Sequence, residues 1–169
     1  MEYRLPRMED EDDIRDFIRE CCYVEECYVM LKQELLLSDY SKWVSLIHRY
    51  ASLGNGKWGR SLLLLAYDKS RLVGILPIRY EISEDYAFLY GNIGYHVRPS
   101  LRNMGYATKM LKHGLEICRE KGMARVIVGC DRDNLASSAV IKKCGGVRLR
   151  TFNDSYGVND YYGIYLSSE

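Results

Sequence analysis

The chain has no apolar run of the roughly 20 residues that a membrane-spanning helix needs. Its acidic start, Glu9 to Asp13, has none of the charge pattern of a signal peptide. It has almost no net charge: 24 Lys and Arg against 23 Asp and Glu leave +1. That gives no general field for nucleic acid or an anionic membrane. Its six cysteines, at 21, 22, 27, 118, 130 and 144, include no Cys-x-x-Cys pair. Small buried apolar residues in a reducing cytosol fit them better than a disulfide framework or a zinc site. No G-x-x-x-x-G-K-[S/T] pattern occurs, which disfavours an ATP-type phosphate loop. No internal repeat, low-complexity tract or linker interrupts the sequence. The expectation is one domain over residues 1–169, cytoplasmic, with no metal, no nucleic acid and no membrane, as a monomer or homodimer.

What is there is the composition of an ordinary globule, 47% hydrophobic and 28% charged, with 15 tyrosines. Tyrosines in that number suit strands and a cleft with hydrogen-bonding walls, most of them as half-buried packing. Met1 to Met8 suits a first strand. Ile14, Phe17, Ile18, Cys21 and Cys22 recur at helical spacing, behind acids placed where a helix N-terminus favours them. Glu25 to Leu37 is ambiguous and helical in part. Ser41 reads as the N-cap of a second helix carrying Trp43, Leu46, Ile47, Tyr50 and Ala51. Gly54 to Gly59 matches G-x-G-x-x-G, but it precedes a strand and opens no helix, so it reads as a loop.

Ser61 to Tyr67, Arg71 to Glu81 and Tyr86 to Val97 are strand candidates, and their short connections predict an antiparallel meander. A helix from about Gly105 to Lys121 follows, with Gly122 just past its end. Ala124 to Cys130 is a β-branched strand. Strand, helix and strand in this order imply a crossover with the two strands parallel. Asn134 to Cys144 forms the last helix, packing through Ala136, Ala139, Val140 and Cys144, and Gly145-Gly146 ends it. Val147 to Phe152 and Tyr161 to Leu166 close the chain as an antiparallel pair.

The chain is organised around GNIGYHVRPSLRNMGYAT, Gly91 to Thr108. Pro99 cannot join a β-ladder, so the strand stops near Arg98. A helix face of Ala107, Met110, Leu111, Gly114, Leu115 and Cys118 begins at once. A helix N-terminus offers unpartnered backbone N–H groups and roughly half a unit of positive charge. Phosphate oxygens can take both, provided the turn residues are small enough for close approach. Gly105 and Ala107 meet that need, and Arg102 adds a cation at the mouth. The turn reads as a pyrophosphate cradle built mainly of backbone.

Arg-x-x-Gly-x-Ala between a strand and a helix resembles the acetyl-CoA signature of the GNAT (GCN5-related) N-acetyltransferases. The wider run NIGYHVRP…RNMGYATKML…CDRDNLASSAVIKKCGG is similar to a bacterial branch of that family. The resemblance covers roughly residues 60 to 166. It implies an α/β (α+β) fold: a mixed, mostly antiparallel sheet of six to seven strands, helices on both faces, and one parallel strand pair splayed around the cofactor. It also implies acetyl transfer from acetyl-CoA, as co-substrate and without metal, to a primary amine of a small molecule or peptide by direct attack. The alternative is an acyl-CoA-binding module without turnover.

By the same resemblance, Tyr95 and Val97 contact the pantetheine arm through their backbones. Arg102, Asn103, Met104, Gly105, Tyr106, Ala107 and Thr108 hold the pyrophosphate. Asn134, an N-cap by position, also touches the cofactor. Where many relatives place a base on the central strand, this chain has Gly91 and Ile93, neither titratable. Glu81 is the nearest substitute, acting through water, with Glu84 beside it; His96 faces the other way. Where many relatives have a tyrosine seven residues after the asparagine, this chain has Ile141. Ser137 is then the candidate acid, or equally a small residue packed beside the cofactor. Tyr156, Tyr161 and Tyr162 are alternative acids or wall residues. Asp154 and Asp160 are rim carboxylates or turn residues.

Overall fold

The computed structural model describes residues 1–23, 39–54, 56–154 and 157–166. The expected partial helix at Glu25 to Leu37 and the candidate Tyr156 lie outside them, as does the side chain of Asp154. Among the described residues, seven strands form two antiparallel sheets, ordered β1-β2-β3-β4 and β5-β7-β6. The first holds β1 (Glu2–Arg4), β2 (Ser61–Asp68), β3 (Arg71–Arg79) and β4 (His96–Val97). The second holds β5 (Arg125–Asp131), β6 (Val147–Asp154) and β7 (Gly157–Tyr165).

Among the described residues, five α-helices cover these sheets. Helix α1 (Glu11–Tyr23) opens on three acids, Glu11, Asp12 and Asp13, which suit the positive end of its dipole. It buries Ile14, Phe17, Ile18 and Cys21. Helix α2 (Tyr40–Ser52) is capped by Asp39, whose carboxylate accepts the Ser41 N–H at 3.0 Å, so the cap falls two residues before the expected Ser41. These two helices pack on one face of the first sheet, against Leu63, Leu65, Leu72 and Ile75.

The other face carries the larger core. Helix α4 (Tyr106–Glu120) places Met110, Leu111, Leu115 and Cys118 against Leu64, Ala66, Val73 and Leu76. The same cluster takes in Val126, Val128 and Ile164 of the second sheet and Ile141 of helix α5 (Leu135–Lys143). Helix α4 therefore binds both sheets into one core. Helix α5 packs through Ser138 and Ile141, while Ala136 and Ala139, expected inside, are exposed.

The expected strand from Tyr86 to Val97 is largely something else. Glu84–Tyr90 is helix α3. Ser83 is its N-cap, Glu84 and Asp85 fill its first turn, and Gly91 ends it at φ 71. The aromatic content suggested strand, but the cap, the acids and the glycine terminator together favour helix. From Asn92 on the chain does run along β3, through Asn92 to Arg79, the bridge of Ile93 to Ile78, and the His96–Val97 ladder. Helix α3 sets Ala87 and Phe88 against Ile127 and Tyr161 of the second sheet.

Candidate functional site

The site begins with which way the residues of β4 point. The N–H groups of Gly94 and Arg98 donate to Pro77 and Val73 of the β3 side, at 3.0 and 2.9 Å, and His96 pairs with Ile75. Backbone groups alternate along a strand, so those of Tyr95 and Val97 face the opposite edge, toward β5. The mate on that side is close only at the start. Asn92 N–H donates to the Ile127 carbonyl at 2.7 Å, and the Ile127 N–H donates back to the Asn92 side-chain oxygen, also at 2.7 Å. Gly91 lies against the backbone of Ile127 and Gly129, and its φ of 71, a left-handed backbone, is what favours glycine there. Beyond it β4 and β5 belong to different sheets and share no ladder. β4 and β5 therefore meet at Asn92 and share no strand pairing from there toward Val97 and Cys130.

The turn after β4 supplies the cradle. Pro99 opens a short 3-10 turn, Pro99–Leu101, which ends the strand. Asn103 and Gly105 then take left-handed conformations, φ 63 and φ 80. Gly105 is the N-cap of α4 and provides no side-chain cap, and a side chain there would meet nothing within 4 Å. The first backbone N–H groups of α4, at Tyr106, Ala107 and Thr108, have no partner within the helix. Residues 102–105 are exposed and 106–108 half-buried. This is room and polarity for an anion at a positive helix end, which fits the expected pyrophosphate. The Tyr106 hydroxyl is committed elsewhere: it donates to Asp68 at 2.7 Å and anchors the cradle to the β2–β3 turn.

The far wall is the start of α5. The Asn134 side chain accepts the Ser137 N–H at 3.0 Å, capping the helix as expected. The Tyr95 hydroxyl reaches across from β4 and lies 2.8 Å from the Ser137 hydroxyl and 3.3 Å from its carbonyl oxygen. Burial pushes the Tyr95 phenol up to about 12, so it stays neutral at physiological pH. Burial also pushes up the thiol of the nearby Cys130, while the Ser137 hydroxyl pulls it back down.

Other candidates lie where the chemistry is spent. Ile93 is 2% exposed and Ile141 0%, both core residues. The Glu81 carboxylate accepts the Arg60 backbone N–H at 2.6 Å and pairs with the Arg60 guanidinium. The hydrogen bond from that guanidinium, then that from the Arg60 N–H, hold it below the usual carboxylate range. Glu84 pairs with Arg125. Asp160 is not a rim group: it is buried, takes the Thr151 hydroxyl and Arg132, and faces Arg148. The Tyr162 hydroxyl pairs with Ser138 at 2.9 Å, and the Tyr161 hydroxyl donates to the Leu89 carbonyl. Both tyrosines are buried with their hydroxyls engaged. Among the described residues no group of His, Cys, Asp and Glu could hold a metal ion.

Two participants were not anticipated from sequence. Asn92 looked like the first residue of a strand, and nothing local marks its side chain as an inter-sheet link. Tyr95 was read for its backbone alone. Its hydroxyl meets Ser137 across 42 positions of sequence, a contact that only the fold creates.

The fold matches what comparison with known proteins finds. A profile described as "Acetyltransferase (GNAT) domain" matches residues 3–147. No curated protein matches. Among solved structures, RimJ of Mycobacterium smegmatis, in complex with CoA-disulfide, superposes with TM-score 0.74 at 18% identity, covering 96% of this chain and 80% of its own. The Salmonella typhimurium protein yncA, solved with its cofactor acetyl-CoA, gives TM-score 0.69 at 15% identity, covering 99% and 95%. A spermidine N-acetyltransferase chimera of Vibrio cholerae SpeG and hSSAT gives 0.67 at 12%, covering 97% and 94%. At these identities the superpositions establish the fold, and the profile, spanning most of the chain, establishes the family: this chain belongs to the GNAT family of acetyltransferases.

Proposed function

We propose that the chain moves an acetyl group from acetyl-CoA to a primary amine by direct attack. One observation carries the reading: the exposed, uncapped N-terminus of α4 follows directly on β4, whose edge toward β5 is splayed. A slot for an extended arm thus leads into a backbone anion site.

Acetyl-CoA supplies an activated carbonyl and a thiolate leaving group. The residues of this chain bind and orient. The N–H groups of Tyr106, Ala107 and Thr108 take the pyrophosphate, with Arg102, Asn103, Met104 and Gly105 forming the approach. The backbones of Tyr95 and Val97 take the arm. A backbone donor on this edge also meets the negative charge that collects on the carbonyl oxygen, a contribution typically worth about 3–4 kcal/mol. The Ser137 hydroxyl, paired with Tyr95, donates a hydrogen bond to the departing thiolate, and the proton that the amine gives up passes to solvent water. Glu81 suits the base role poorly, because its pairing with Arg60 stabilises the charged form and weakens it as a proton acceptor. Asn134 serves as the cap that places Ser137.

Thermal unfolding with and without acetyl-CoA tests the central claim. A ligand at about 100 times its dissociation constant stabilises by roughly 2.7 kcal/mol. In a domain of this size that is a shift of about 5–10 °C. No shift at saturating acetyl-CoA removes the reading. Release of free CoA on adding amines then separates the enzyme from a binding module without turnover. That second reading draws on Gly91, Ile93 and Ile141, which leave the usual base and acid positions without titratable groups. Spermidine, the acceptor named for one similar structure, belongs in the first screen.

A further inference from the structure

We infer that Asn92 is a positioning residue: it joins the two sheets and, by the way it joins them, fixes where the slot between β4 and β5 begins. The inference rests on the acetyl-CoA reading above.

Every polar group of Asn92 is engaged, and the pattern is unusual. Its backbone N–H donates to the Ile127 carbonyl at 2.7 Å. Its backbone carbonyl accepts from the Arg79 N–H, also at 2.7 Å. Its side-chain oxygen accepts the Ile127 N–H at 2.7 Å, and its side-chain amide donates to the Arg79 carbonyl at 3.0 Å. One residue therefore makes a complete two-bond pair with each of two strands at once. On each side, one bond comes from the backbone and the other from the side chain. The residue is 4% exposed, so each of these groups would be costly to leave unpaired.

This explains why the sheets part. An ordinary antiparallel or parallel rung uses the backbone N–H and C=O of both strands, and the next rung repeats it two residues on. At Asn92 the backbone carbonyl is already turned to β3, and the side chain closes the rung to β5 in its place. The backbone of β4 then follows β3 through Gly94, His96 and Arg98. Nothing carries the β5 pairing past the first rung. Tyr95 and Val97 on one side, and Gly129 on the other, share no ladder. The side-chain amide is what allows contact and parting at the same residue.

The test uses two ligands and the intact chain. Acetyl-CoA engages slot and cradle together. 3′-Phospho-ADP, which ends at the pyrophosphate, engages the cradle alone. Asn92→Ala is expected to raise the acetyl-CoA dissociation constant at least tenfold and to leave that of 3′-phospho-ADP within about twofold. Equal weakening of both ligands, or unchanged acetyl-CoA binding, overturns the inference. If the wild type binds neither ligand, it is the acetyl-CoA reading that fails instead. Should the alanine variant not fold, amide exchange in the wild type decides. The Ile127 N–H is expected to be protected without ligand. The Tyr95, Val97 and Gly129 N–H groups are expected to exchange readily and to become protected only with acetyl-CoA. Protection of those three in the free protein would mean that the ladder runs on past Asn92, and would overturn the inference.

Discussion

Gly105 stands at φ 80 with open space where a side chain would go. A residue such as valine there meets no steric wall within the protein. It meets the cost of a left-handed backbone, about 1–3 kcal/mol, and it projects into the anion site. Gly105→Val is expected to fold, to melt somewhat lower, and to lose most of the acetyl-CoA-induced thermal shift. A full shift in that variant would show that the cradle is not where the ligand binds. Ser137 and Tyr95 make a different prediction, because they act on a step rather than on binding. Ser137→Ala and Tyr95→Phe each remove one hydroxyl of a pair 2.8 Å apart. Thiolate is a fair leaving group, with an intrinsic pKa near 8.5. The loss is therefore expected at or below the low end of general acid effects, about 10- to 100-fold in kcat. The acetyl-CoA dissociation constant should move less than about threefold. An unchanged kcat in both variants would remove Ser137 from the reaction. The family resemblance pointed to Ser137 as a candidate acid or a packed small residue; the sequence held no sign of Tyr95 as its partner, because strand alternation tells which face a side chain takes but not which helix lies above it.

Among the elements, α5 is short, and its first turn carries Ser137. Its cap is one side chain, Asn134, accepting the Ser137 N–H at 3.0 Å. Asn134→Ala is expected to cost about 1 kcal/mol of stability, measured by denaturant unfolding, and to slow turnover by loosening Ser137. Loss of activity with no loss of stability would mean that Asn134 touches the cofactor directly, as the resemblance implies. The elements also show where sequence reading works and where it slips. Helices α1 and α4 were legible because their apolar stripes and flanking signals agree. Helix α3 was missed because Tyr86, Phe88 and Tyr90 favour strand by composition, while Ser83, Glu84, Asp85 and Gly91 favour helix by position. Seven residues of intermediate pattern leave too little periodicity to settle the question. The cap of α2 shifted from Ser41 to Asp39 for a similar reason: either residue can cap, and the backbone geometry selected one.

For the molecule as a whole, buried charge ties the N-terminal segment to the first sheet. Asp10 is 2% exposed. It accepts two bonds from Arg4, at 2.6 and 2.7 Å, one from the Arg7 N–H and one from the Tyr67 hydroxyl. Burial pushes its carboxyl up, but these donors outweigh it and hold the group below its ordinary range. A carboxylate depressed on folding stabilises the protein above its unfolded pKa, near 3.9, and that contribution is lost as pH falls through the folded value. Asp10→Asn is expected to cost about 2–4 kcal/mol at neutral pH. The gap to the wild type should hold from pH 7 to about pH 5 and close below roughly pH 4. Urea midpoints across that range check it; a gap that widens in acid would contradict the assignment. Arg98 plays the matching role on the other side. It donates to Asp16 and Glu20 of α1 and to the Leu72 carbonyl, and so locks the end of β4 beneath that helix.

The sequence by itself determined the local half of this protein. Pro99, Gly105 and the helix face behind them specify a strand, a tight turn and an open helix N-terminus, because each signal acts within a few residues. The tertiary structure alone decided the rest. It placed Asn92 between β3 and β5, set the Tyr95 hydroxyl against Ser137, and gave Glu81 to Arg60 and Asp160 to Arg132 and Thr151. Each of these contacts joins groups from separate elements. Hydrogen bonds and ion pairs have no periodicity to betray them in a sequence, and they exist only once packing has brought the partners together.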